Sequence, residues 1–111
     1  MINKYHAKKA VFDGIKFDST KEKNYYAKLC MLKRVTDPEK KVIRIETQVR
    51  YDIIINDKKC FFYKLDFKVE YADGRIEHID IKGCKTGCGY QMFRLKKKCV
   101  EAQFGIKIIE M

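Results

Sequence analysis

Apolar and polar residues alternate along residues 42–55. A period of two is typical of a strand that buries one face, so this segment is predicted to be a long half-buried strand. Two further strands, over 60–70 and 75–82, follow a turn at 56–59. The apolar face of the first strand is expected to hold Ile43, Ile45, Thr47, Val49, Tyr51, Ile53 and Ile55.

Before and after the three strands in the sequence, apolar residues follow helical spacing instead of alternation. Residues 19–34 and 90–104 are each predicted to form a helix. A short ribbon over 11–17 precedes the first helix, and a short strand over 106–109 follows the second. The order αβββαβ predicts an α/β (α+β) fold with a central mixed sheet flanked by helices. At 111 residues, the chain is expected to be one domain, 1–111.

The turn between the second and third strands determines which of their side chains meet. A three-residue loop over 72–74, closed by a left-handed glycine, places Asp66 opposite Asp80. This register separates an apolar face from an ionic face, whereas a two-residue Asp-Gly loop would mix them. The same register pairs Lys64 with Lys82, Leu65 with Ile81, Phe67 with Ile79 and Lys68 with His78.

Two carboxylates side by side on a sheet repel each other, since their side-chain roots are only ~5 Å apart, unless a cation or a shared proton relieves them. A hard divalent ion, Mg²⁺ or Mn²⁺, suits their oxygens. Lys82 shares the face of Asp80 and could position a water or neutralise charge on a phosphate. The alternative is that Lys64 and Lys82 form ordinary salt bridges with two solvated aspartates.

Glu22 supplies a third carboxylate. Tyr26 and Leu29 follow it at i+4 and i+7, on the helix face that should meet the sheet. The alternative is a capping box, in which Glu22 folds back onto the helix start at Ser19. Together with the two aspartates, Glu22 favours the metal-site interpretation.

These charged residues resemble the signature of the PD-(D/E)XK nuclease superfamily. Glu22 lies on a first helix, Asp66 on one strand and Asp80-Ile81-Lys82 on the next. More narrowly, the chain is similar to a family of short phage-encoded, resolvase-like proteins of unknown function. That likeness runs through nearly the whole chain, in Lys4-Tyr5-His6-Ala7-Lys8-Lys9, Asp13-Gly14-Ile15-Lys16-Phe17-Asp18-Ser19, Asp66-Phe67, and Asp80-Ile81-Lys82-Gly83 with Thr86.

The resemblance implies a restriction-endonuclease-like core and a Mg²⁺-dependent deoxyribonuclease. Glu22, Asp66 and Asp80 would bind Mg²⁺ or Mn²⁺, joined by the main-chain carbonyl of Ile81, and Lys82 would position the hydrolytic water. The substrate would be DNA, and branched DNA for a junction resolvase acting in recombination or DNA processing. Paired cuts would require a homodimer. A phage or prophage origin would place the protein in the cytoplasm of the host cell.

The charge of the chain favours a nucleic-acid partner. Its 25 basic residues exceed its 15 acidic residues, and the excess lies in segments 1–34 and 82–111. A non-catalytic DNA-binding module on the same fold and a protein-interaction factor that blocks a host defence are the alternatives. The residues expected to contact DNA are Lys8, Lys9, Lys85, Thr86, Lys96 and Lys97.

Five cysteines without a secretion signal predict reduced thiols. Cys84 and Cys88 could hold zinc with Cys99 or His78, although their spacing differs from that of a standard zinc site. No apolar stretch approaches the ~20 residues of a membrane span, so a cytoplasmic protein without a membrane partner is expected.

Overall fold

The computed structural model describes residues 10–82 and 87–111, and its elements follow the predicted order. The fold class is α+β, as predicted, with two helices and a mixed four-stranded sheet. The elements are β1 (Ala10–Phe12), β2 (Ile15–Phe17), α1 (Thr20–Leu32), β3 (Val42–Ile55), β4 (Lys58–Tyr71), β5 (Ile76–Asp80), α2 (Cys88–Phe104) and β6 (Ile108–Glu110).

The sheet has the strand order β3-β4-β5-β6. Neighbouring strands are antiparallel from β3 to β5, because tight turns connect them, while β6 runs parallel to β5. A parallel pair needs a crossover connection, and α2 lies within it. Strands β1 and β2 form a separate two-stranded ribbon.

Turn chemistry explains most of the element boundaries. Asp13 and Gly14 both have positive φ, 53° and 77°, as a two-residue hairpin turn with the strand twist requires. Asn56 and Asp57 repeat this geometry, with φ of 51° and 64°. Strand β4 therefore begins at residue 58, earlier than the predicted 60, because the turn needs only two residues.

The predicted helices differ from the observed ones at their ends. Helix α1 begins after the N-cap Ser19, whose Oγ accepts a hydrogen bond from the Glu22 N–H at 3.1 Å. Helix α2 begins at Cys88, two residues before the predicted start, and ends at Phe104 as predicted, followed by the cap Gly105, which is left-handed with a φ of 64°. Strand β6 begins at residue 108 rather than 106.

Two clusters of buried residues hold the fold together. The α1 core joins α1 to β2, β3, β4 and β5, and the α2 core joins α2 to β3, β4 and β6. The α1 core consists of Phe17, Tyr26, Leu29, Val42, Phe67, Val69, Tyr71, Ile79 and Ile81. The α2 core consists of Ile53, Tyr63, Leu65, Phe93, Val100 and Ile108.

The two cores lie on opposite faces of the sheet at its β6 edge. Ile108 and Ile109 are neighbours on β6, and Ile108 belongs to the α2 core while Ile109 packs against the α1 core. Since adjacent strand residues point to opposite faces, the helices cover opposite faces there. The sheet is thus flanked by helices.

Strand β4 passes from one core to the other near Asp66. Leu65 lies in the α2 core and Phe67 in the α1 core, while every second residue from Tyr63 to Tyr71 remains buried. Opposite this point on β3, Gln48 has a positive φ of 53°, which marks a local departure from strand geometry. Asp66 therefore sits at the junction of the two cores.

The predicted apolar face of β3 is wrong at both ends of the strand. Ile43 is 51% exposed, while its neighbour Val42 is buried, because the pairing with β4 shifts between Val42 and Arg44. Ile55 is 57% exposed at the hairpin end. Ile53 is buried as predicted.

Candidate metal centre

The predicted hairpin register between β4 and β5 is confirmed. Tyr71 N–H donates to the Arg75 carbonyl at 2.9 Å and Gly74 N–H to the Tyr71 carbonyl at 3.0 Å, which gives the three-residue loop. The strand pairs continue to Phe67–Ile79, and the next position along the ladder holds Asp66 and Asp80.

The register predicted beyond that position is wrong. Strand β5 ends at Asp80, so Ile81 and Lys82 do not pair with β4. At this point β4 passes into the α2 core, which contains Leu65, while Ile81 stays in the α1 core.

Asp80 is buried, with 3% of its surface exposed, and its carboxylate is held by two donors. Its Oδ2 accepts a hydrogen bond from the Tyr63 hydroxyl at 2.8 Å and lies 2.9 Å from Lys82 Nζ. An unpaired buried carboxylate is costly, and these contacts offset that cost. Asp80 does form the salt bridge with Lys82 that the alternative predicts, but the alternative is wrong in taking this aspartate to be solvated.

Lys82 is held at its ammonium group and at its backbone. Its ammonium nitrogen lies 3.6 Å from the centre of the Phe93 ring, in addition to its contact with Asp80. Its backbone N–H donates to the Met111 carbonyl at 3.0 Å, and its own carbonyl accepts from Lys21 Nζ at 2.7 Å. The lysine charge therefore has a defined position beside Asp80.

Asp66 binds the chain that leads from Asp80 to Lys82. Its Oδ2 accepts a hydrogen bond from the Ile81 N–H at 2.8 Å. Burial, followed by a hydrogen bond with Asp80 and the charge of Asp80, raises the pKa of Asp66 to about 8. The two carboxyl groups are thus close enough to share a proton, which is one of the two forms of relief that the sequence predicts for this pair.

Glu22 points inward from α1 and is 8% exposed. Among the described residues, its Oε2 is a buried oxygen without a hydrogen-bond partner. Burial raises the pKa of Glu22, as do the charges of Asp18 and Asp80, while a hydrogen bond from the Asp18 N–H and the charge of Lys82 oppose this. Glu22 therefore contacts the start of its own helix and also lies within electrostatic reach of Asp80.

The three carboxylates suit a hard divalent cation by their chemistry. Asp80 raises the pKa values of both Glu22 and Asp66, so all three acids lie within electrostatic reach of one another. All the donors are oxygens, and Glu22 Oε2 is a buried acceptor that a cation would satisfy. The donor atoms, taken by their type and not by their arrangement, are those that Mg²⁺ and Mn²⁺ prefer.

The side chains do not converge on one point as they stand. Within residues 10–82 and 87–111, no three Asp, Glu, His or Cys side chains form a ready set of metal ligands. Asp80 Oδ2 is directed to Tyr63 and Lys82, and Asp66 Oδ2 to the Ile81 N–H. The ligand roles of the three acids and of the Ile81 carbonyl stay predictions.

The predicted DNA contacts are only partly within the described residues. Lys8, Lys9, Lys85 and Thr86 lie outside them. Lys97 Nζ lies 2.9 Å from Glu110 Oε2, so this lysine is paired within the protein. Lys96 Nζ lies 5.8 Å from the centre of the Phe61 ring and is half-buried.

The zinc alternative falls largely outside the described part of the chain, because Cys84 lies there. Cys88 is exposed and Cys99 is half-buried, and both are free thiols. Cys30 and Cys60 are also free, as the prediction of reduced cysteines requires.

Sequence reasoning did not identify Tyr63 and Phe93 as parts of the site. Tyr63 occupies a position that alternation assigns to the apolar face, and Phe93 has the helical spacing of a core residue. Both are indeed buried, but they also contact Asp80 and Lys82. The passage of β4 from one core to the other leaves no mark in the pattern of apolar residues, because every second residue stays buried.

In the part of the chain that the structure describes, no helix has the length and apolar character needed to cross a membrane. No curated protein and no solved structure matches the sequence. One family model, described as "Protein of unknown function (DUF1064)", matches residues 2–109. Since this match covers nearly the whole chain, the protein belongs to the DUF1064 family.

Proposed function

We propose that this protein is a metal-dependent deoxyribonuclease that hydrolyses phosphodiester bonds. Glu22, Asp66 and Asp80 are assigned as ligands of Mg²⁺ or Mn²⁺, and Lys82 as the residue that positions the attacking water. The observation that carries this proposal is the buried contact of Asp80 with Lys82 at 2.9 Å, with Asp66 and Glu22 beside it. A metal-assisted hydrolase uses such a cluster of acids to bind the metal and one fixed ammonium group to position water or stabilise charge.

The chain itself contributes orientation and charge. Tyr63 and Lys82 both bind Oδ2 of Asp80, so they set the orientation of this carboxylate. The Lys82 ammonium can donate a hydrogen bond to a water or to a phosphoryl oxygen, and Phe93 limits its movement. A bound divalent ion would lower the pKa of the water and stabilise charge on the phosphate.

The net charge of +10 supports a polyanionic substrate. We assign the substrate as DNA, and branched DNA as the preferred form, by the resemblance to resolvase-like proteins. Symmetric cleavage of a junction would require a homodimer. The cleavage experiment below tests the assignment of branched DNA as the preferred substrate.

The experiment compares supercoiled plasmid, linear duplex and a four-way junction in Mg²⁺ and in EDTA. We expect Mg²⁺-dependent cleavage by the wild-type protein, and a loss of at least about 100-fold in Asp80→Asn. Asp57→Asn is the matched control, because Asp57 lies in the exposed β3–β4 turn and asparagine tolerates its left-handed conformation. Equal cleavage by both variants would refute the assignment of Asp80.

A non-catalytic DNA-binding module is the second candidate, and one observation favours it. In the described part of the chain the acids do not form a ready set of metal ligands, and Lys82 is occupied by Asp80. Such a module would bind DNA equally well in the wild type and in Asp80→Asn, and would cut none of the three substrates in Mg²⁺. The same protein preparations therefore separate the two functions.

A further inference from the structure

One edge of β4 leads directly to Asp66. Strand β5 pairs with β4 only from Phe67 to Glu70, whereas β3 pairs with β4 along nearly its full length. In the described part of the chain, β4 therefore has no strand on its second side from Lys58 to Leu65. At a rise of ~3.3 Å per residue, Phe62 lies roughly 13 Å along the strand from Asp66.

A groove of about 410 Å³ runs beside this edge, and we call it the β4-edge groove. The groove is lined by two aromatic rings from β4 and by a lysine from α2, among other residues. Phe62 is 44% exposed, although burial of a phenylalanine is favourable by about 1.5–3 kcal/mol. The lining residues are Lys59, Cys60, Phe61, Phe62 and Lys96.

Cations accompany both rings of the β4-edge groove. The Arg50 guanidinium lies 4.1 Å from the centre of the Phe62 ring, and Lys96 Nζ lies 5.8 Å from that of Phe61. Lys64 and Lys59 are exposed on the same strand. Asp52 is an acid at this surface, and it pairs with Arg50 at 2.9 Å and with Lys59 at 3.5 Å. The surface thus combines aromatic faces with a clear excess of positive charge.

We propose that the β4-edge groove binds a single strand of nucleic acid and directs unpaired DNA towards Asp66. Proteins bind single strands by stacking bases on aromatic side chains and by following the phosphates with cations, and the groove has both features. The inference takes one element from the proposed function, namely that the ligand is DNA. It specifies the substrate as a duplex that carries an unpaired strand.

A peptide or a second copy of this chain is the competing occupant, because free strand edges attract other strands. The positive charge of this edge distinguishes between a protein strand and a nucleic-acid strand. Lysines on an edge disfavour pairing with another strand, and Lys58, Lys59 and Lys64 all lie on this stretch of β4. The same lysines attract phosphates, so a nucleic-acid strand is the occupant that the charges favour.

The experiment measures DNA affinity by fluorescence anisotropy in EDTA, so that cleavage plays no part. The probes are a labelled duplex with an unpaired tail and a blunt duplex with the same base pairs. We expect Phe62→Ala to weaken binding of the tailed DNA roughly fivefold to 150-fold, as the loss of one stacked base does, and to change blunt-duplex binding less than about twofold. Phe62→Trp should restore tailed-DNA binding, because it retains an aromatic face.

Ile76→Ala is the matched control, because Ile76 is 46% exposed and lies on β5 away from the groove residues. Replacing Lys59 and Lys96 by Gln should reduce the slope of log affinity against log salt by about 0.7 for each phosphate that the protein no longer neutralises. Lys33→Gln, on the exposed end of α1, should leave the slope unchanged.

Two results would overturn the inference. One is equal affinity of the wild type and Phe62→Ala for the tailed DNA. The other is a concentration-dependent dimer in analytical ultracentrifugation that Phe62→Ala abolishes while DNA affinity is unaffected, since this would identify a second copy as the occupant. The absence of Mg²⁺-dependent cleavage would refute the proposed nuclease but would leave these affinities unchanged.

Discussion

Asp66→Asn tests the electrostatic basis of the site without depending on cleavage. Burial and the neighbouring Asp80 raise the pKa of Asp66 to about 8, from an ordinary value of 3.8. Asparagine has nearly the same shape, and its side-chain oxygen can still accept the hydrogen bond from the Ile81 N–H. The substitution therefore removes the ionisable group of residue 66 and preserves the geometry around it.

The direction of the effect follows from proton binding. Between about pH 4 and pH 8 the folded protein holds a proton on Asp66, whereas the unfolded chain has lost it, so stability falls as the pH rises through this range. At 1.36 kcal/mol per unit, the full shift would correspond to roughly 5–6 kcal/mol. Water at this partly exposed side chain screens the interaction, and we expect about 2–3 kcal/mol.

Urea unfolding of the metal-free protein, followed at about pH 5, 7 and 9, measures this difference. The wild type should lose about 2–3 kcal/mol more than Asp66→Asn between the lowest and highest pH. A saturating concentration of Mg²⁺ at the highest pH should restore stability to the wild type, by about 2.7 kcal/mol at 100 times the dissociation constant. Asp66→Asn should recover much less, since it lacks one anionic ligand.

The reasoning fails if the two proteins show the same dependence of unfolding free energy on pH. That outcome would mean that Asp66 ionises at an ordinary pH and that Asp80 does not influence it. A different result, in which the pH slopes differ but Mg²⁺ stabilises neither protein, would refute the metal assignment alone. Asp57→Asn controls for general effects of removing a carboxylate, because Asp57 is exposed.

Three further substitutions test contacts around the site and the sheet. Tyr63→Phe should lower the unfolding free energy by about 1.5–3 kcal/mol in urea titrations, because it removes a hydrogen bond to the buried Asp80. Tyr90→Phe removes a similar bond to Glu110 from a less buried ring and should have a smaller effect, and equal losses would contradict the role of burial. Gln103→Ala should cost about 1 kcal/mol and accelerate hydrogen exchange at the Ile54 amide, since the Gln103 side chain accepts from Ile54 N and donates to the Asp52 carbonyl. Unchanged protection of the Ile54 amide would refute this bridge.

The order of elements could be predicted from the sequence because each one has a strong local signal. The alternation that predicts β3, the Asp13-Gly14 turn and the Ser19 cap all act through neighbouring residues, and the strand, the turn and the cap all appear in the structure. The register of the β4–β5 hairpin was predictable for the same reason, since the left-handed Gly74 fixes its loop.

The faces of the long strands could not be predicted equally well. Alternation assigns Ile43 and Val49 to one face, but the shift in pairing after Val42 interrupts the pattern. The transfer of β4 from one core to the other near Asp66 depends on packing against two different helices. A binary pattern of apolar and polar residues contains no information about such a transfer, and the contact of Tyr63 with Asp80 was therefore missed.

The three acids lie beside the end of the β4–β5 ladder, where the pairing of these two strands stops. Glu22 comes from α1 with the α1-core residues Tyr26 and Leu29, whereas Asp80 is held by Tyr63 of the α2 core. A continuous sheet would separate side chains on its opposite faces by the backbone between them. The β4–β5 ladder reaches Phe67–Ile79, so side chains from both faces can meet immediately beyond its end. At the end of this ladder, Glu22 from α1 and Asp80 from β5 can therefore contribute to one site, although they come from opposite faces of the sheet.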